Sequence, residues 1–425
     1  MERIRAEKEQ LIKDKKFKRD KKDNEPIDEV PFELPEGWEW CRLGEIIILL
    51  SGQDLNYKEC NETQQGIPYI IGASNFHNGR LNINRWTEFG KNIAEKGEIL
   101  VTCKGTVGEM SILEIDKAHI ARQIMSIKAI LCYQKYILYF LSFRIKDLKE
   151  KASGLIPGIS REDLLYQIIP LPPLAEQHRI AQKVEQLLAI VDTIEQLQEE
   201  LKALVKQTKN QVLNYAIAGK LTHQDPNDEP AEALLKRIGK TTTTAADTPY
   251  EKLPEGWVWC QGNQILNTMK SQKPSGEKFN YIDIASIDNR QNKITEVKTI
   301  AVTEAPSRAS RKVKFGDTLF SMVRPYLKNI AFVDEEYSNC IASTGFYVCS
   351  PNEALFPKYL FYLMVSDYVV QGLNKHMKGD NSPSINNEDI TNFIFPLPPL
   401  AEQYRIVEKI ESFFASFDQI EKELA

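Results

Sequence analysis

The densest concentration of chemistry-bearing side chains in this 425-residue chain is Ser307-Arg-Ala-Ser-Arg-Lys-Val-Lys314, with four cations in seven residues. A short apolar run follows, then Arg324-Pro-Tyr-Leu-Lys328. Guanidinium forks pair with phosphate or with the guanine edge, ammonium and hydroxyl groups take phosphate, and an aromatic ring packs beside them. Arg308, Arg311, Lys312, Arg324, Tyr326 and Lys328 are therefore candidate nucleic-acid contacts. The plain alternative is a solvated loop and hairpin. A matching layout stands earlier in the chain. Glu98–Thr106 ends in Lys104 and Thr106, with Lys104 near the position of Arg324, and Ala121-Arg-Gln123 aligns with Ala342-Ser-Thr344. Lys104, Thr106, Arg122 and Gln123 are the counterpart candidates, and Ser74, Asn75, Ser286 and Asp288 are weaker ones. Two sets of loops that share a scaffold but differ in polar side chains are expected to bind related, unlike ligands.

Other chemistry is scarce. The nearest approach to a phosphate loop, Gly219-Lys-Leu-Thr222, has Asn214 in place of the upstream glycine and follows a helical pattern instead of a strand. No GxGxxG follows a strand, so cofactor binding has no support. The five histidines lack metal-ligand spacing, and the seven cysteines form no CxxC, which reads as free thiols. No base is placed beside a nucleophile. Trp38, Trp40, Trp257 and Trp259 read as packing anchors.

The candidates sit within an internal repeat. Leu34-Pro-Glu-Gly-Trp-Glu-Trp-Cys41 recurs as Leu253-Pro-Glu-Gly-Trp-Val-Trp-Cys260, and Pro170–Ile180 recurs as Pro396–Ile406 with one change, His178 to Tyr404. The period is far too long for a solenoid, so a whole domain plus its following helix is duplicated. Short β-rich runs lie between the markers: Tyr69–Ile71, Glu98–Thr102 and Ile124–Ile130 in one copy, Tyr281–Ile284, Asp317–Ser321 and Gly345–Val348 in the other. A helical stretch follows in each, Gln134–Leu148 and Pro357–Leu373. The organisation expected is an N-terminal helix and linker (1–33), a first domain (34–170), a central helical spacer (171–240), a linker and second domain (241–396) and a C-terminal helix (397–425). Each domain is expected to be mixed α and β.

After each Pro-Leu-Pro-Pro-Leu-Ala-Glu-Gln the apolar spacing turns to alternating fours and threes. Ile180, Val184, Leu187, Val191 and Ile194 open one stripe and Ile406, Ile410, Phe413 and Phe417 the other, a heptad pattern that packs against another helix. The central helix is expected from Leu174 to about Ala218, on the order of 65 Å long. The N-terminal segment Glu2–Arg19 could complete a second helical element with the C-terminal helix.

Charge excludes one function class. The chain carries −5, and the segments 34–170 and 253–396 each balance acid with base, so the deficit lies in the helical elements. This argues against binding nucleic acid by bulk charge and leaves room for a local basic face. No apolar run spans a membrane and no signal peptide is present, so a cytoplasmic protein without membrane partners is expected. Three readings stand at this point: a DNA-binding module, a cytosolic coiled-coil scaffold with duplicated domains, and an enzyme with an unrecognised site.

Two LPEGW-initiated domains, each closed by PLPPLAEQ-x-Arg-Ile and a long helix, resemble the specificity subunit of type I restriction–modification systems over nearly the whole chain. Ala305–Ala309 and Phe320–Asn329 also match a variant of that family's target-recognition domain. The resemblance implies two target-recognition domains separated by long antiparallel coiled-coil helices about a pseudo-twofold axis. It implies that each domain reads half of a bipartite double-stranded DNA site and that the helices set the gap. It further implies a non-catalytic chain that binds no cofactor and recruits two modification subunits, carrying S-adenosylmethionine, and restriction subunits, carrying ATP and Mg.

Overall fold

The computed structural model describes residues 1–13, 27, 30–77, 79–151, 158–244 and 252–424. The chain divides into two compact units, Met1–Ile194 and Glu195–Ala425, with the boundary inside the central helix, Leu174–Ile217.

Each unit holds two four-stranded sheets in the same order. In the first, Ile47–Ser51, Ile124–Ala129, Ile99–Thr102 and Met110–Ile112 form an antiparallel sheet. Trp86–Thr87, Ile67–Ile70, Lys117–Ile120 and Ile93–Glu95 form the other, where the pair Ile67–Ile70 and Lys117–Ile120 is parallel. In the second unit, Leu266–Asn267, Phe346–Pro351, Thr318–Ser321 and Ile330–Phe332 repeat the first sheet. Lys298–Ala301, Lys278–Ile282, Ile341–Ser343 and Ala309–Lys312 repeat the second, again with one parallel pair.

The apolar runs follow from three layers. Side chains alternate across a strand, so a strand covered on both faces must be apolar at every position. Ile99 and Val101 pack with Ile137 and Leu141 of the helix Gln134–Lys151, whereas Leu100 packs with Ile70, Ala94 and Ile120. In the second unit Leu319, Phe346 and Val348 share one core, and Phe320, Tyr347 and Cys349 another. The stretch expected as one helix over Pro357–Leu373 is two, Pro357–Val365 and Asp367–Asn374. Ser366 breaks it with extended backbone, and its side chain accepts from the Val369 amide as the N-cap of the second helix.

The repeated markers form a clasp. Glu39–Arg42 pairs antiparallel with Ile168–Leu171, and Val258–Gln261 pairs with Ile394–Leu397. The Trp38 indole donates to Glu176 at 3.1 Å, and the Trp257 indole donates to Glu402 at 2.8 Å. The adjacent glutamines hold the loop before the helix: Gln177 accepts from the Tyr133 amide at 2.8 Å and Gln403 from the Phe356 amide at 2.7 Å. Trp38 and Trp257 are thus packing anchors, as their spacing suggests.

The central helix starts after Pro172 and Pro173, which have no amide hydrogen to leave unpaired at an N-terminus. It stops at Gly219, whose φ of +66° suits glycine, and the Lys220 amide returns to the Tyr215 carbonyl at 2.8 Å. Within the second unit Leu400–Glu423 runs antiparallel to the end of this helix. Lys209 lies 2.8 Å from Asp418 and 2.9 Å from Glu421, while Thr222 donates to Glu402 at 3.0 Å. Val212, Leu213, Ala216 and Ile217 share a core with Ile406, Val407 and Ile410, and Phe417 packs against it. Phe413 stacks on Phe417 at 6.4 Å. In the first unit Ile180 is partly buried, but Leu187, Val191 and Ile194 stand 51%, 48% and 49% exposed.

The N-terminal helix is described over Glu2–Lys13; the rest of the expected Glu2–Arg19 helix lies outside the described residues, as do most of the first linker and residues 245–251 of the second. It packs within its own unit. Ile4 enters the core, the amino terminus lies 3.9 Å from Glu39, and Arg5 pairs with Glu45 at 2.9 Å.

Candidate nucleic-acid interface

Equivalent strand ends gather the candidate residues in both units. Thr102 pairs with Ile124, and Ser321 with Phe346. Just beyond, the Cys103 amide donates to the Gln123 carbonyl at 2.7 Å and the Met322 amide to the Gly345 carbonyl at 2.9 Å. The Cys103 and Met322 carbonyls accept from Ile159 and Ile385, and isolated bridges join Lys104 to Gly158 and Val323 to Ser384. This register corrects the sequence alignment by one residue. Lys104 corresponds to Val323, Ala121 to Ser343, and Gly105 to Arg324. The loop that follows each strand is one residue out of step with the other, which a sequence offset alone does not reveal.

In the first unit Lys104 and Thr106 are exposed on a loop that turns at Gly105, φ +76°. Thr102 closes its base, accepting from the Glu109 amide at 2.9 Å. Arg122 is exposed and pairs with Asp54 at 2.8 Å. Gln123 is half-buried and leans on Gly72, where an added Cβ would meet its amide oxygen at 2.3 Å. Lys104, Thr106, Arg122 and Gln123 therefore converge on one end of the sheet.

In the second unit Arg308 is exposed, and its carbonyl accepts from Thr344 at 2.8 Å, which brings the 306–309 turn to the same strand end. Arg324 takes φ +49° where the first unit has glycine. Its amide donates to Pro383 at 2.8 Å and its guanidinium to the Asn381 carbonyl at 2.8 Å. Tyr326 is 47% exposed beside it. Lys328, φ +53°, spends its charge on Asp367 at 2.8 Å and serves as a scaffold tie. Arg311 and Lys312 lie on an edge strand with a bulge. Lys312 is exposed, whereas the Arg311 Nε is buried without a hydrogen-bond partner among the described residues. Lys104, Arg308 and Lys312 have no ion-pair partner among the described residues, and Arg324 keeps its charge while bonded to a carbonyl.

Three weaker candidates are turn formers. Asn75 is fully buried and accepts from the Ile71 amide at 2.9 Å. Ser286 is fully buried and bonded to Asp283, and Asp288 accepts from the Arg290 amide at 2.8 Å. Ser74 is exposed. Sequence reasoning missed the 378–384 segment, which clamps Arg324. Its Lys-Gly-Asp-Asn-Ser-Pro-Ser composition was the available signal.

The thiols are poor nucleophiles. Burial pushes those of Cys41 and Cys349 far up, Cys260 to about 12 and Cys132 to about 11. Among the described residues no cluster of His, Cys, Asp or Glu could hold a metal ion, and no helix is long and apolar enough to cross a membrane.

The pattern of the type I restriction modification DNA specificity domain matches residues 35–203 and 260–425. The EcoDI type I specificity subunit of Escherichia coli is 25% identical over 92% of this chain and 84% of its own length. The MjaVIII specificity subunit of Methanocaldococcus jannaschii is 24% identical over 89% and 86%. Among solved structures, the HsdS subunit of Thermoanaerobacter tengcongensis matches with a TM-score of 0.61 at 20% identity, covering 94% of each chain. A chain from a study of type I restriction–modification complex assembly and conformational transition matches with a TM-score of 0.65 at 20% identity, covering 93% and 94%. The two units are duplicated copies of one fold with differently dressed strand ends, and the chain belongs to the family of type I restriction–modification DNA specificity subunits.

Proposed function

We propose that each unit reads one half of a bipartite double-stranded DNA site through the loops at its equivalent strand ends, with the helical spacer setting the distance between halves. The observation that carries this is the pair of matched loops with unlike side chains. The first unit presents Lys104-Gly105-Thr106 with Arg122-Gln123, and the second presents Val323-Arg324 with Thr344-Gly345. One backbone frame with different donors selects different base edges. Arg324 is the principal base reader of the second unit, and Lys104, Arg308 and Lys312 take phosphate. The chain itself is non-catalytic and binds no cofactor. It brings two modification subunits, carrying S-adenosylmethionine, and restriction subunits, carrying ATP and Mg, to the site in the cytoplasm.

Binding of the purified chain with its modification subunits to duplexes carrying both halves, either half or neither tests this. Loss from altering either half alone, with a steep fall in affinity on raising salt, is expected. Affinity independent of sequence or of salt would instead favour a non-DNA scaffold.

A further inference from the structure

An arginine stands at the strand end of each unit, and the two are held by different means. In the second unit Arg324 is clamped by the 378–384 segment. In the first unit one carboxylate holds Arg122 at two points. Asp54 Oδ1 accepts from the Arg122 amide at 3.1 Å, and Asp54 Oδ2 lies 2.8 Å from the Arg122 Nε. An exposed ion pair ordinarily fixes little, because two long side chains move against each other. Here a short aspartate grips the main chain and the side chain of the same residue, so the guanidinium has little room to swing. Its two terminal nitrogens have no partner among the described residues, and the side chain remains 69% exposed.

Asp54 is itself bolted to the sheet on both sides. The Gly52 amide donates to the Ile124 carbonyl at 3.0 Å and the Gln53 amide to the Ile120 carbonyl at 2.9 Å. An added Cβ at Gly52 would lie 2.1 Å from the Ala121 carbonyl oxygen, so only glycine fits. Before Asp54, the Gln53 carbonyl accepts from His119 Nε2 at 2.8 Å, while His119 Nδ1 accepts from the Lys91 and Asn92 amides at 3.3 and 3.2 Å. These bonds require the neutral ring with its hydrogen on Nε2, and burial lowers the His119 pKa in favour of that form. After Asp54, the Leu55 amide donates to the Tyr69 hydroxyl at 3.3 Å. The second unit lacks this arrangement. Its strand register puts Ile341 where the first has His119, and Thr344 where the first has Arg122. Lys273 stands at the count of Asp54, and the adjacent Gln272 amide donates to Ser310. Carboxylate, arginine and histidine occur together in one copy and are all absent from the other.

We propose that Asp54 is a positioning residue that makes Arg122 the base reader of the first unit. With Nε taken, the side-on fork of Nε and one terminal nitrogen is closed, and only the end-on pair of terminal nitrogens is left to donate. Two parallel donors of this kind match O6 and N7 of guanine in the major groove. Asp54 also offsets the guanidinium charge, which weakens its pull on a phosphate and leaves its hydrogen-bond donors for a base edge. The proposal rests on the half-site reading above and names the first unit's reader; Lys104 keeps the phosphate role.

The test is competition binding of the full chain with its modification subunits to duplexes bearing the methylation-mapped site. Single G·C to A·T exchanges are placed in the half whose recognition survives Arg324→Ala. Asp54→Asn keeps an oxygen for the Arg122 amide and removes the charge. It should lower discrimination at one G·C pair of that half by roughly fivefold or more, while affinity for a duplex without the site stays equal or rises. Arg122→Ala should erase the same discrimination, and Asp54→Asn should add nothing in that background. Arg122→Lys, which keeps the charge but not the fork, should behave as Arg122→Ala does. Discrimination undiminished in Asp54→Asn, a further loss on combining it with Arg122→Ala, or an equal fall for every duplex overturns the proposal and leaves the half-site reading standing. An unsubstituted chain indifferent to every change in that half overturns both.

Discussion

Arg324→Gly separates a recognition role from a structural one by the sign of its two effects. Arg324 holds φ +49° at the position where the first unit has Gly105 at φ +76°. A side chain in this left-handed region costs about 1–2 kcal/mol, which glycine does not incur. Against that relief stand one exposed hydrogen bond to the Asn381 carbonyl, net about 0.5–1.5 kcal/mol, and the extra backbone entropy of unfolded glycine, about 0.5–1 kcal/mol. These contributions nearly cancel, so the folded state should change by no more than about 1 kcal/mol in either direction. Loss of a bidentate guanine contact costs about 1–3 kcal/mol, or roughly 5- to 150-fold in affinity for the second half-site. The paired assays are denaturant unfolding and competition binding with duplexes altered in one half at a time. Stability within that window, with discrimination relaxed in one half only, is expected. A fall in stability of more than about 3 kcal/mol, or equal loss at both halves, would refute the reasoning.

The clasp predicts unequal costs for equivalent changes. Trp257→Phe removes a donor from the fully buried Glu402 and should cost about 1–3 kcal/mol or more, whereas Trp38→Phe beside the half-buried Glu176 should cost less than about 1 kcal/mol, as read by denaturant melts. Removing one heptad, 194–200, from the central helix shortens it by about 10 Å, which is about three base pairs. The spacer of the methylated site should shorten or activity should vanish, and an active deletion with an unchanged spacer would contradict the ruler. Lys104→Ala, Arg308→Ala and Lys312→Ala should each lower affinity evenly across sequences and reduce the log–log salt slope by about one, measured by titration at several salt concentrations. Lys328→Ala should act mainly on stability through Asp367, leaving the salt slope unchanged.

Much of the fold was legible in the sequence because duplication printed it twice. The LPEGW and PLPPLAEQ markers located the ends of each domain, and the change from period two to heptad spacing located the helices. That the markers touch was not legible: the Trp38–Glu176 and Trp257–Glu402 bonds join residues 138 and 145 apart. The strand-end loops were found by composition, yet their register slipped by one, because main-chain bonds such as Met322 to Gly345 set it and side chains do not. Lys328 and Arg311 looked like free cations, but the sequence does not reveal that Asp367 sits opposite one or that the Nε of the other is enclosed. The bonds from Thr222 and Gln224 to Glu402 and the Asp228–Arg405 pair were equally hidden, since Thr222, Gln224 and Asp228 belong to a polar stretch with no motif.

The most direct test of two independent readers is genome-wide mapping of methylated adenine in cells that supply the modification subunits together with this chain. It should be compared with the same cells carrying Arg324→Ala. The account predicts a split motif that depends on this chain, with the variant degrading one half and leaving the other half and the spacer intact. Equal degradation of both halves, or a methylation pattern indifferent to the chain, would contradict it.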